Sequence, residues 1–381
     1  MKIGILTYHK SINYGAFLQG YSLCENIKKE IGCEVELIDY NSIKSFELYY
    51  KRILATRNLK KMMKLVKQYI AFRKSLSNVS KSKKSLTTDN IEKINNFLRN
   101  KYDIVIAGSD EIWRTDGVRG FPNIYWLHDE LYCKKISYAA SSRSDMQKLS
   151  DNNKQYIIDS LNKFEYVGVR DYKTRDEIKK LMPDLKIHMN CDPAFMLDFK
   201  QEKDKTRQML LLKYGIKKDD KLIGIMIHNK EMAKIIREKF GNKYKIISLY
   251  NPNKYADKDI LDINPFEWIQ VIGCLDLFIT GFFHGTIFAM KNNVPFISIE
   301  VKNREDDSSK IKDVLEKVDL VDRILYKKEI NENPEILEKS MRKALNNFDE
   351  EEVKKAIELE QEKFKEFIKN LKEIIKKEAN K

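Results

Sequence analysis

The chain has 381 residues, 42% of them apolar and 34% charged, with 71 basic against 57 acidic side chains and a formal net charge of +14. So many core formers exclude a disordered chain, and the length exceeds the ~250–300 residues at which a single core stops growing, so two domains are expected. No apolar run reaches the ~18 residues that cross a bilayer, and the charge points to an anionic partner: nucleic acid, membrane surface, acidic glycan or phosphorylated substrate.

The opening run Met1-Lys2-Ile3-Gly4-Ile5-Leu6 stops at Thr7. It is too short for the apolar region of a signal peptide and reads as a buried strand. The loop Tyr8–Gly15 leads into a helical pattern with Ala16, Leu18, Leu23 and Ile27 toward a core, ended by Gly32. Cys33–Asp39 reads as a second strand, and strand–helix–strand opens a parallel α/β sheet. Residues 45–101 interrupt this rhythm. Ile53, Leu54, Met62, Met63, Leu65, Val66, Ile70 and Phe72 form one roughly helical stripe there, followed by a Ser/Lys-rich loop at 75–85. The α/β pattern resumes with a strand at 102–107 that runs into Gly108-Ser109-Asp110. Further strands are expected at 134–139, 165–169 and 186–190, separated by helices near 147–163 and 171–181.

A charged stretch at 200–219 reads as a linker with a short helix. A second α/β unit follows, with strands at 222–227, 244–249, 275–280 and 294–299 and helices at 230–240 and 265–274. The loop Gly281-Phe282-Phe283-His284 comes next, with a helix expected from Gly285. Val353, Ile357, Phe364, Phe367, Ile368, Leu371 and Ile374 recur at helical spacing, giving an amphipathic terminal helix expected to pack on the body. Two doubly wound halves imply a cleft, and in such sheets ligands bind beyond the carboxyl ends of strands. The five cysteines (Cys24, Cys33, Cys133, Cys191 and Cys274) are odd in number and lack CxxC spacing. They read as reduced thiols in a cytoplasmic protein. Neither HExxH nor a P-loop is present, and no metal or cofactor is expected.

The polar clusters fall in the loops that follow strands. His284 sits between an apolar strand and an apolar helix, where two glycines permit close backbone approach and a helix start favours an anion. It is either a proton-transfer group or a buried histidine satisfied by backbone. Arg170 precedes a helix and offers a two-pronged face for carboxylate or phosphate, or else pairs with Asp171 or Asp176. Gly108-Ser109-Asp110 offers backbone N–H groups and a carboxylate to a ligand, or is a turn with a helix cap. Asn13-Tyr14-Gly15 and Asp192-Pro193 read as ligand loops or ordinary turns. Lys302, Arg304 and Lys310 form a cationic group after the last core strand. His9 follows the first strand and is placed toward the cleft, whereas His128, His188 and His228 have no evident partners. Asp257-Lys258-Asp259 matches a DxD metal pattern that a highly charged chain produces by chance.

Taken in order, Asn13-Tyr14-Gly15-Ala16 with Gln19, Gly108-Ser109-Asp110 with Trp113, Tyr138-Ala139-Ala140-Ser141, Val169-Arg170, Asp192-Pro193 and Phe283-His284-Gly285-Thr286 resemble the polysaccharide pyruvyl transferase family across residues 3–325. The resemblance implies a GT-B-like α/β fold, two Rossmann-like domains facing across a cleft, with C-terminal helices. The expected division is 1–199 with a basic helical insertion at about 45–101, then 200–345, then the terminal helix at 346–381. The resemblance also implies that phosphoenolpyruvate is the donor. The product is then a pyruvate ketal on a sugar of a bacterial surface polysaccharide or its lipid-linked precursor, with phosphate released. On that reading His284 and Asp110 are catalytic: His284 carries the acid/base work and Asp110 positions or deprotonates a sugar hydroxyl. Arg170 and Lys310 hold the donor's anionic ends, the helix at Gly285 and Thr286 takes a phosphate, and Asn13, Tyr14, Gly15, Gly108, Ser109 and Asp192 line the site. Two positions differ from the family pattern. Phe282-Phe283-His284 stands where several members have Arg-Leu-His, and Glu111 stands where many have glutamine.

Two other classes remain open on the sequence: a GT-B glycosyltransferase using a nucleotide sugar, and a noncatalytic binder of anionic polymers. Nucleic-acid binding rests on charge alone and is not expected. That charge is concentrated, since residues 51–101 hold fifteen Lys/Arg against Asp89 and Glu92, a net +13, and the rest of the chain is +1. The segment is either a solvated helical face packed on the core or a peripheral contact with an anionic membrane at its inner face.

Overall fold

Near-continuous apolar strands are the mark of parallel sheets covered on both faces, and two such sheets are present. The computed structural model describes residues 1–56, 58–128, 131–301 and 309–379. In chain order the first strands are β1 (Lys2–Leu6), β2 (Glu34–Leu37), β3 (Tyr40–Asn41), β4 (Leu86–Thr87), β5 (Ile104–Ala107), β6 (Lys134–Ala140), β7 (Phe164–Val169) and β8 (Ile187–Met189). Six of them form an all-parallel sheet in the order β2-β1-β5-β6-β7-β8, with β3 and β4 paired separately. The strands β9 (Leu222–Met226), β10 (Lys245–Ser248), β11 (Lys258–Asp259), β12 (Leu277–Thr280), β13 (Phe296–Glu300) and β14 (Ile324–Tyr326) form a second all-parallel sheet in the order β11-β10-β9-β12-β13-β14.

The two windings differ. Numbered within each sheet, the first runs 2-1-3-4-5-6 and the second 3-2-1-4-5-6. The strand order therefore reverses between β1 and β5 in the first sheet and between β9 and β12 in the second. The crevice beyond the carboxyl ends at such a reversal is where open α/β sheets bind ligands.

The chain divides into two compact units. The first comprises residues 1–55, 78–198 and 360–381, and the second residues 56–77 and 199–359. The helix Leu59–Ser75 within the basic segment thus belongs to the second unit, while 78–101 belongs to the first. The stripe read from the sequence as one face is two. Leu65 and Phe72 are buried, whereas Met63, Val66 and Ile70 are exposed, as is the neighbouring Leu59. Arg57, Lys302 and Arg304 lie outside the described residues.

Side-chain caps fix many of the helix starts. Asn13, Asn58, Asn90, Ser150, Asp171, Asn229 and Asn264 each accept a backbone N–H in the first turn. The first core is centred on Trp113 stacked on Trp126 at 4.9 Å, with the Trp113 indole donating to the Tyr125 carbonyl. In the second, Trp268 meets Phe288 edge-on. The terminal helix Glu350–Ala379 buries Phe364, Phe367 and Leu371, as its periodicity predicts. Phe367 lies 4.4 Å from the Tyr138 ring and 5.4 Å from that of Tyr166. Among the described residues no helix is long and apolar enough to cross a membrane.

Candidate active site

The first unit holds eight of the site residues singled out from the sequence: Asn13, Tyr14, Gly15, Gly108, Ser109, Asp110, Arg170 and Asp192. Gly108 leaves β5 at φ 138°, and a Cβ there would fall 1.9 Å from the Tyr138 carbonyl oxygen, so only glycine fits. Asp110 follows at φ 93°, a conformation that side chains rarely adopt outside functional or turn sites. Neighbouring chain holds it there. Its carbonyl accepts from Ser141 N (3.0 Å) and Ile112 N (2.7 Å), Trp113 N donates to Ser141 O, and Thr7 Oγ1 donates to Ser109 O (2.9 Å). Gln19 Nε2 in turn donates to Thr7 Oγ1 (2.9 Å). The Asn13–Gln19 and Gly108–Asp110 motifs, far apart in sequence, are therefore joined through one threonine at the end of β1.

Arg170 is fully enclosed, and its guanidinium meets Asp192 Oδ2 at 2.6 Å and Asp110 Oδ1 at 3.8 Å. Burial works against its charge, but the carboxylates of Asp192, Asp110 and Asp171 outweigh it, so the net shift is upward. Asp192 also caps the short turn at Pro193–Met196 through Ala194 N. Asp171, a partner expected from the sequence, instead caps the helix Tyr172–Leu181. With two carboxylates in attendance, Arg170 is suited to orienting Asp110. Asn13 caps the helix Tyr14–Ile31 through Ala16 N, while Tyr14, Gly15 and Ser109 are buried behind the loops. His9, placed toward the cleft by its position in sequence, is fully buried beside Asp39 (3.6 Å).

Arg119 was not legible as a site residue. Its guanidinium lies 3.4 Å from the Tyr8 ring centroid, donates to Ser11 Oγ at 3.1 Å, and interacts with the Tyr125 hydroxyl. Its buried Nε has no hydrogen-bond partner among the described residues, and it forms no ion pair with a carboxylate there. Desolvation disfavours its charge, yet the surrounding tyrosines and Asp110 outweigh this and shift it upward. Burial pushes the Tyr125 hydroxyl up to about 12, so it stays a neutral donor. A half-buried cation with no carboxylate in ion-pair contact among the described residues, beside the β1/β5 reversal, is chemically able to take an anion. No sequence signal marked it, because it lies in the irregular Thr115–Pro122 segment, far in sequence from the strand ends it serves.

In the second unit the helix after β12 starts at Phe283, not Gly285. His284 therefore occupies the first helical turn and is largely buried. No side chain caps this helix, so its first turn lacks the usual competitor for a ligand anion. Gly285 is required, since a Cβ would sit 2.3 Å from Thr280 Oγ1, whereas Gly281 meets only an ordinary contact. Thr286 is buried and bonds Ser298 Oγ at 2.7 Å, tying the turn to β13. Lys310 opens the helix Lys310–Glu316 with its ammonium 5.8 Å from the Phe283 ring. At the β9/β12 reversal, Phe282 packs against His228 (5.1 Å) and Tyr250 (4.8 Å), an aromatic patch that the dispersed aromatic residues of the sequence did not reveal.

The DxD carboxylates are both engaged. Asp257 pairs with Arg237 and Asp259 with Lys64, each at 2.6 Å. Among the described residues no group of three or more His, Cys, Asp or Glu is arranged to hold a metal.

Known structures share this architecture. A UDP-GlcNAc 2-epimerase from Methanocaldococcus jannaschii superposes with a TM-score of 0.54 at 14% identity, over 94% of this chain and 99% of that one. The enzyme of the same name from Neisseria meningitidis, bound to UDP-GlcNAc, gives 0.51 at 10% identity over 96% and 100%. A UGT of Arabidopsis thaliana complexed with quercetin gives 0.51 at 11% identity over 99% and 98%. These likenesses establish the GT-B fold and nothing of the reaction. No curated protein sequence matches the chain. The profile described as Polysaccharide pyruvyl transferase matches residues 13–303, which include the Asp110 loop, Arg170, Asp192 and the His284 turn. The chain belongs to the polysaccharide pyruvyl transferase family.

Proposed function

We propose that the protein is a pyruvyl transferase that uses phosphoenolpyruvate to form a pyruvate ketal on a sugar of a bacterial surface polysaccharide or its lipid-linked precursor, releasing phosphate. Family membership carries the reading, and the chemistry of the two strand-reversal loops supports it. The reaction protonates the donor's methylene carbon and adds a sugar hydroxyl oxygen to the adjacent carbon. A second hydroxyl then displaces phosphate from that carbon. The two hydroxyls lose two protons, one goes to the new methyl group, and the other leaves with phosphate.

His284, in the first turn of an uncapped helix, is the proposed proton-transfer group. That helix start, with Gly285 and Lys310, suits the departing phosphate. Asp110, held by Arg170 at 3.8 Å, is the proposed acceptor of a hydroxyl proton. Arg170 acts as its positioning residue, since Asp192 already neutralises it. Arg119 is the proposed partner of the donor carboxylate. Asn13, Tyr14, Gly15, Gly108, Ser109 and Asp192 shape the loops of the first unit, and Thr286 shapes the helix start that carries His284 in the second. Phe282, where several members carry arginine, presents with Tyr250 and His228 an aromatic face suited to the apolar side of a sugar ring.

The test is phosphate release from phosphoenolpyruvate in the presence of lipid-linked and free glycan acceptors. The expected result is release that depends on acceptor and falls at least about 100-fold in His284→Ala, the scale of a lost general acid. Release that is unaffected by His284→Ala would remove the assignment.

A further inference from the structure

We propose that the outer face of the helix Leu59–Ser75 is an interfacial contact for an anionic bilayer. Leu59, Met63, Val66 and Ile70 are 65%, 50%, 39% and 50% exposed. Their spacing places them within an arc of roughly 60° at about 100° per residue, a continuous apolar stripe. The opposite face fixes the helix in the second unit, where Leu65 and Phe72 are buried, Gln68 bonds the Tyr250 carbonyl, and Lys64 pairs with Asp259. The stripe is therefore surplus to packing.

Lys60, Lys67 and Lys74, one every second turn, run along one flank of the stripe. All three are exposed, and none forms an ion pair among the described residues. The helix contains no acidic residue. An apolar ridge beside a row of cations matches the boundary between acyl chains and anionic headgroups. The helix Ile43–Leu54 also exposes an apolar face, although it carries Glu47, paired with Lys51. Ile43, Phe46, Tyr50 and Leu54 share one exposed face, with the Phe46 and Tyr50 rings 4.5 Å apart.

Charge decides among the occupants. A second copy related by a two-fold axis would bring the same cation row against itself. A soluble polyanion would satisfy the lysines but leave the apolar ridge in water. The measurement is co-sedimentation of the full chain with vesicles of phosphatidylcholine alone or mixed with phosphatidylglycerol. The expected result is binding to the mixed vesicles that weakens with salt and falls at least about tenfold in K60E/K67E/K74E. Val66→Ser with Ile70→Ser should lose binding as well, because insertion needs the ridge. Neither variant touches the groups assigned to the reaction, so stabilisation by phosphoenolpyruvate should persist in both; the membrane contact and the catalytic reading thus fail independently. Absence of vesicle binding, binding that survives either variant, or self-association abolished by the Val66/Ile70 change would overturn the proposal.

Discussion

Arg170 is a buried cation set between two carboxylates, Asp192 at 2.6 Å and Asp110 at 3.8 Å. Removing it leaves Asp110 and Asp192 enclosed without their counter-charge, and breaking a buried pair in this way costs about 3–5 kcal/mol. Arg170→Ala is expected to lower unfolding free energy on that scale in urea melts, with Arg170→Lys recovering only part, because an ammonium cannot span both carboxylates. The His9–Asp39–Lys10 cluster makes a second residue-level prediction. Desolvation lowers the His9 pKa against the opposing pull of Asp39. Burial alone would raise the Asp39 carboxyl, but bonds to His9 and Lys10 overcome it and hold it well below the usual range. In both cases the unfolded chain binds more protons, so stability rises with pH. The His9 contribution is present above its unfolded value of ~6.5 and is lost as pH falls below it; the Asp39 contribution is lost below ~3.9. Urea midpoints should therefore drop between about pH 7.5 and 5.5, and His9→Gln should flatten that slope. An unchanged slope would show that His9 is not the group titrating.

At the scale of elements, the terminal helix buttresses the loops of the first site. Phe367 packs on Tyr138, whose carbonyl abuts Gly108 and whose hydroxyl meets Cys191 beside Asp192. Gln361 donates to the Phe195 carbonyl just beyond. Phe367→Ala should cost about 3–5 kcal/mol by denaturant melts and should reduce activity with it. Gly108→Ala should be worse for activity than for helix content, since the clash falls on the loop that carries Asp110. Much of this framework was legible: the helix Lys230–Phe240 was read with the same bounds, and most strands were read to within two residues. The reading failed where one residue serves two demands. Met63, Val66 and Ile70 were merged with Leu65 and Phe72 because hydrophobic periodicity reports apolarity and not which face is covered. The strand Ile324–Tyr326 and helix Glu335–Asn346 were missed because charged neighbours dilute their apolar positions. Arg170 was read as a ligand-binding group or else as a partner of Asp171 or Asp176, whereas its ion-pair partner Asp192 comes from beyond the next strand. Sequence proximity does not reveal such contacts.

For the whole molecule, the net charge of +14 separates into a basic segment of +13 and a nearly neutral remainder. The charge therefore bears on the proposed surface contact, and the proposed reaction rests on the loops at the two strand reversals. The GT-B fold also houses enzymes whose structures hold UDP-sugars, so the donor is the point on which the account turns. The most direct measurement is a thermal-shift titration of the full chain with phosphoenolpyruvate and, separately, with UDP-GlcNAc. A ligand bound only by the folded state stabilises it by about 2.7 kcal/mol at 100 times its Kd. The account predicts a saturable rise in Tm with phosphoenolpyruvate that is lost in Arg119→Ala, and no rise with UDP-GlcNAc. A rise with UDP-GlcNAc and none with phosphoenolpyruvate would contradict it.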